Sequence, residues 1–165
     1  MRPPALFLSA LLMAVVPVFP AAAQGMQVGF SGLRQDTRAP VEVTSDSLEV
    51  DNATGQAVFL GNVVVAQGEL RLAAPRVEVD YGTAGEGIRA VRASGGVTLA
   101  TAAEAAEAQE ARYDVTSGAL VMSGSVLLTQ GGATIAGERL VADLTAGTGR
   151  MEGRVRTVFQ PGSGN

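Results

Sequence analysis

The chain contains no histidine and no cysteine, and all 12 of its basic residues are arginine. The commonest metal ligands, thiol nucleophiles and imidazole bases are therefore missing. Without lysine there is no Schiff base, no phosphate-loop lysine and no Ser–Lys dyad. Serines such as Ser45, Ser94 and Ser123 sit at turns with no activating base nearby in the sequence. Two carboxylates suffice for glycoside hydrolysis, and Glu104, Glu107 and Glu110 form the only cluster. An Ala-rich exposed edge explains that cluster more simply, so no catalytic residue, metal or cofactor is expected. With no disulfide to close, an exported chain of this kind must be held by sheet pairing and burial alone.

Long apolar runs are also scarce. The one that stands out, residues 5–19, is short for a membrane span and is interrupted towards its end by Pro17 and Pro20. Arg2 precedes it and Ala21-Ala22-Ala23 follows it, which is the layout of a secretory signal peptide. We expect residues 1–23 to be removed after Ala23, leaving a mature chain of 142 residues. An uncleaved N-terminal anchor is the alternative, and a lipoprotein anchor is excluded because no cysteine stands at the site. Without Arg2 the remaining 11 arginines face 16 acidic residues, a net charge of −5. That balance argues against a nucleic-acid partner, whose affinity rests on neutralising phosphates, and offers no polybasic patch to an anionic bilayer.

What the chain does have is a repeat. A turn of the form Asp-x-x-Thr/Ala/Ser-Gly occurs at Asp51–Gly55, Asp114–Gly118 and Asp143–Gly147, with a looser copy at Asp80. Ten residues after three of these Asp residues comes a Gly-x-Val step, at Gly61, Gly124 and Gly153. The Asp80 copy reaches its Gly95-Gly96-Val97 only after a five-residue insertion around Gly82–Gly87. The result is four cycles of ~29 residues, the signature of stacked supersecondary units that cannot bury their apolar faces alone. Each Asp stands alone before its turn, so it is expected to bond its own turn backbone and not to bind calcium.

Within each cycle the pattern has period two, which marks short half-buried strands. One phase carries Ala57, Phe59, Val63 and Val65, then Leu72 and Val79, then Val97 and Leu99, then Met122, Val126, Leu128, Ile135 and Leu140. Every arginine that can be phased, Arg71, Arg76, Arg92, Arg112, Arg139, Arg150, Arg154 and Arg156, falls in the other phase. The inward face is thus apolar and essentially uncharged. It reads either as an ordinary core or as the lining of a groove between two sheets that do not fully close. The interior glycines read either as bends where a strand turns a corner between sheets or as tight spots that admit no side chain. Residues 102–112 would be helical on propensity, but an offset of 63 aligns Ala111–Asp114 with Leu48–Asp51, and the repeat predicts a strand.

A stack that does not close leaves a strand edge at each end. The N-terminal edge is expected near Val41, Val43, Leu48 and Val50, with acidic Glu42, Asp46 and Glu49. The C-terminal edge is expected near Met151, Val155 and Phe159, with Arg150, Arg154 and Arg156. The predicted domain spans residues 41–160, after a loose leader at 24–40 and before a short tail at 161–165.

Residues 40–157 resemble the OstA-like family of periplasmic lipopolysaccharide-transport proteins. The resemblance is carried by Ser45–Asp51, Thr54-Gly55, Phe59–Gly68, Leu70-Arg71-Leu72 and Arg76–Val79, and again by Ala111–Asp114, Leu120–Gln130 and Gly137–Leu140. It implies an all-β, twisted and partly open β-jelly roll, located in the periplasm, whose apolar interior holds lipopolysaccharide acyl chains. It further implies head-to-tail stacking between an inner-membrane anchored OstA-like protein and an outer-membrane lipopolysaccharide assembly receptor. The rivals are an inner-membrane-anchored paralogue of the same pathway, a structural β-repeat protein without a ligand, and a β-helical polysaccharide enzyme. The missing lysine and histidine disfavour the last.

Overall fold

The computed structural model describes residues 26–29, 39–82 and 87–160. The expected signal peptide and its expected cleavage site, the 161–165 tail and the centre of the second-cycle insertion lie outside the described residues. Among the described residues eleven strands form one open antiparallel sheet: β1 (Met26–Gly29), β2 (Val41–Thr44), β3 (Ser47–Asp51), β4 (Gln56–Gln67), β5 (Leu70–Tyr81), β6 (Ile88–Ala100), β7 (Glu104–Asp114), β8 (Ala119–Gln130), β9 (Ala133–Asp143), β10 (Thr148–Glu152) and β11 (Arg156–Phe159). From β4 to β10 sequence neighbours are also sheet neighbours, in a simple meander. Each of the first three repeat cycles is one long hairpin of that meander, β4–β5, β6–β7 and β8–β9, and the fourth supplies β10 and β11.

The interior glycines bend the hairpins. Gly61 and Asn62 lie where the β4–β5 register shifts, so that two residues face Pro75 alone. Gly95-Gly96 face Gln109, and Gly124-Ser125 face Glu138, in the same way. Two residues against one is a β-bulge, which bends and twists its strand. All six bulge residues have positive φ, between 46° and 98°. The bulges line up across the sheet and fold it into two halves that face each other. Both sequence readings of these glycines hold. At Gly124 an added Cβ would also come within 2.7 Å of the Gln109 side chain.

The bends divide the end strands as well. β2 and β3 both pair with β4, on either side of its bulge, and β10 and β11 both pair with β9. One half of the roll therefore runs from β3 to β10 and the other from β2 to β11. The Asp turns cap the tips of the first half. Asp51 Oδ1 accepts from Ala53 N at 2.8 Å, Asp143 Oδ1 from Ala146 N at 2.8 Å, and Asp114 Oδ1 from Ser117 N at 2.9 Å. Asp80 differs: it is buried, accepts from Gln56 Nε2 at 2.9 Å and meets Arg92 at 3.0 Å.

Two expectations are corrected here. The 24–40 segment is not wholly loose, because Met26–Gly29 forms β1 and pairs antiparallel with β10 at the far end of the roll. Glu104 is not on an exposed edge. It is buried, at the inward-facing start of β7, and accepts a hydrogen bond from Gln130 Nε2. Glu107 and Glu110 are exposed. The Ala-rich segment is strand β7 despite its helical propensity. Its Ala106, Ala108 and Ala111 are buried between the longer side chains of β6 and β8.

Candidate functional site

The inner faces of the two halves are built by register. In the first half, Leu48, Phe59, Val77, Ala93, Ala111, Met122, Leu140 and Met151 form one cross-strand row. In the second, Val43, Val65, Leu72, Leu99, Ala106, Leu128 and Ile135 form another. Val63, Val79, Val97 and Val126 are also fully buried. Among the phased inward residues Phe59 alone is only half-buried, since its sole cover on one side is the edge strand β3. No lysine, histidine or arginine side chain enters either row.

The halves meet at their tips. A narrow cleft of ≈ 20 Å³ lies between Val65, Leu70 and Leu99 on one side and Val91, Tyr113 and Leu120 on the other. That is room for about one water, so the jaws are closed in this state. Tyr113 Oη donates across the seam to Gln67 Oε1 at 3.4 Å, and Gln67 Nε2 donates to the Ala39 carbonyl at 3.1 Å. Burial, followed by the charge of Asp114, pushes the Tyr113 phenol up from its ordinary value of 10.0, so it stays protonated as a donor. Val115 and Leu144, just after the turn residues Asp114 and Asp143, close over the same cleft. The period-two phasing misses these two because they lie in turns. Their signal was the repeat itself, which places an apolar residue after Asp in both copies: Asp114-Val115-Thr116 and Asp143-Leu144-Thr145.

The ends of the roll differ. At the N-terminal end Leu48 and Val50 belong to the inward rows yet are 52 % and 59 % exposed, so the apolar interior is open there. Val41 and Val43 are half-buried against the core. At the C-terminal end Val158 and Phe159 are 49 % and 75 % exposed, and Val155 is half-buried. Met151 is not an edge side chain. It is fully buried, and its strand is flanked by β9 and β1. The basic charge expected at this end is also partly offset within the chain, by Arg150–Glu152 at 2.7 Å and Arg154–Glu138 at 2.9 Å.

Residues 42–148 match the profile of a family described as LptA/(LptD N-terminal domain) LPS transport protein. The chain belongs to this family. A crystal structure of LptH from Pseudomonas aeruginosa, described as the LptA-homologous periplasmic component of the conserved lipopolysaccharide transport device, superposes with a TM-score of 0.70 at 25 % identity. The match covers 77 % of this chain and 99 % of LptH. An uncharacterised protein of Rhizobium meliloti (strain 1021) is 27 % identical over 154 residues, 87 % of this chain and 83 % of that protein. This LptA-like chain is therefore an OstA-like lipopolysaccharide-transport protein with a β-jelly-roll fold, and its family role is transport, not catalysis.

Proposed function

We propose that this protein is a soluble periplasmic carrier of lipopolysaccharide. It is exported by its signal peptide, binds acyl chains between the two halves of the roll, and stacks head-to-tail into a bridge. One end then meets an inner-membrane anchored OstA-like protein and the other an outer-membrane lipopolysaccharide assembly receptor. The observation that carries this reading is the apolar lining shared by both halves, free of basic side chains, which runs out to exposed Leu48 and Val50 at one end. Lipopolysaccharide is anionic and this chain is acidic, so the binding energy must come from its tails. Each buried methylene contributes about 0.8 kcal/mol, which over several acyl chains amounts to tens of kcal/mol before the costs of association.

A photoreactive residue at Phe59 or Met122 is expected to crosslink to lipopolysaccharide in living cells, and one at outward Arg71 far less. Equal labelling at the three positions would overturn the site. Sequencing the N-terminus of the exported protein separates this carrier from an anchored paralogue: the carrier begins at Gln24.

A further inference from the structure

Among the described residues the two ends of the roll do not match in strand count, and β1 is the reason. At the N-terminal end the outermost strands are β3 on one half and β2 on the other, joined through only Ser45 and Asp46. At the C-terminal end the corresponding strands are β10 and β11, which pair with adjacent stretches of β9. β1 is laid on the outer side of β10 only. The first half is therefore one strand wider than the second at this end, by about 4.8 Å.

A second copy approaching in the same orientation brings β2 and β3 together, because two residues cannot absorb a one-strand stagger. With β1 in place, its β2 can reach β11 only if its β3 overlaps β1. With β1 gone, β3 falls beside β10 and β2 beside β11. Strand direction agrees. Pairing is antiparallel at every step of the sheet, so an incoming β3 runs antiparallel to β10 and an incoming β2 antiparallel to β11. The meander then continues from one copy into the next without a break in alternation. Against β1, by contrast, the incoming β3 would run parallel, in the slightly weaker pairing.

Resting on the head-to-tail reading above, we propose that β1 is an exchangeable self-cap, which occupies the β10 edge in the free protein and is displaced by β3 of the next copy. The occupant of the uncovered edge is a second copy of this chain. Its exposed Leu48 and Val50 belong to the same inward rows as Met151 and Gly149, beside which β1 lies in the free protein, so strand exchange also continues the apolar interior across the junction. A cap of this kind covers a bare edge until a partner with the right pair of strands arrives, which limits indiscriminate edge pairing.

Two variants of the mature chain test this by sedimentation equilibrium. One deletes residues 24–29. The other is Gln27→Cys with Arg150→Cys, a directly opposed pair in the register of β1 and β10. Opposed antiparallel residues lie within disulfide reach, and the chain has no other cysteine. Removing β1 abolishes the competition of a few ladder hydrogen bonds, so the deletion is expected to tighten self-association by about tenfold or more. The oxidised pair is expected to lose stacking and to regain it on reduction. Wild-type association in both the deletion and the oxidised variant would overturn the cap while leaving head-to-tail stacking intact. Absence of association in every form, the deletion included, would overturn both. Lipid A binding, followed in parallel by fluorescence, reports on the groove separately from either outcome.

Discussion

At the scale of single residues, the bends and turn caps carry the most specific consequences. Gly124 combines a φ of 85° with a contact that an added Cβ would make at 2.7 Å to Gln109, whereas Gly96 has a φ of 98° and nothing within 4 Å. Gly96→Ala is therefore expected to cost only backbone strain, about 1–2 kcal/mol. Gly124→Ala adds a packing clash and is expected to cost about 2–4 kcal/mol. Urea unfolding of the two variants checks the order, and equal midpoints would show that the close approach of β7 does not matter. The turn carboxylates have a different signature. Backbone hydrogen bonds from Ala53 and Thr54 hold Asp51 below its ordinary value of 3.8, and those from Ser117 do the same for Asp114. A carboxylate with a depressed folded pKa stabilises the fold above the unfolded value and loses that contribution as pH falls through the folded one. The stability of the wild type is thus expected to decline more steeply below about pH 4 than that of Asp114→Asn, which has no proton to take up there. Parallel stability-versus-pH curves in that range would argue against the assignment.

At the scale of strands and hairpins, the sequence was informative wherever period and repeat agreed. The phase that joins Phe59, Val63 and Val65 to Met122, Val126 and Leu128 marks the inward rows, because a bulge of two residues preserves alternation through each bend. Residues 102–112 show the repeat overriding local preference. Alanine is a poor strand former, but β7 lies between β6 and β8, where small side chains leave room for Leu99, Val97, Met122 and Leu128. Three features escaped the alternation. Glu104 follows no charged or apolar rule that would place it inward, and its environment exists only once Gln130 is brought beside it. Val115 and Leu144 lie in turns, where alternation says nothing about direction. The pairing of β1 with β10 joins residues more than a hundred positions apart, and four residues of a Gly-containing leader hold no pattern that names a partner. Edge assignments made from the ends of the repeat were consequently right about β2, β3 and β11 as outer strands and wrong about Met151, which β1 encloses.

At the scale of the whole molecule, the closed seam sets a condition on ligand entry. The interior offers ≈ 20 Å³ at the tips, far less than an acyl chain, so on the carrier reading tails that enter along this seam require the halves to separate. Opening along the bulges is the least costly route, because the ladder is already interrupted there and the strands on either side can swing without losing their own pairing. A contact that must break is Tyr113 Oη to Gln67 Oε1, a side-chain hydrogen bond between the halves at the cleft. Joining positions 67 and 113 as cysteines through a short bis-maleimide is therefore expected to prevent uptake of a fluorescent lipid A analogue. The same double variant blocked singly with a monofunctional maleimide retains binding. Tyr113→Phe, which keeps the ring and removes the hydroxyl, is expected to accelerate uptake while lowering stability by only about 1 kcal/mol. Stopped-flow fluorescence reads both effects. Unimpaired uptake by the crosslinked protein would place lipid entry elsewhere, at the open end beside Leu48 and Val50, and would make the seam a structural closure and not a gate.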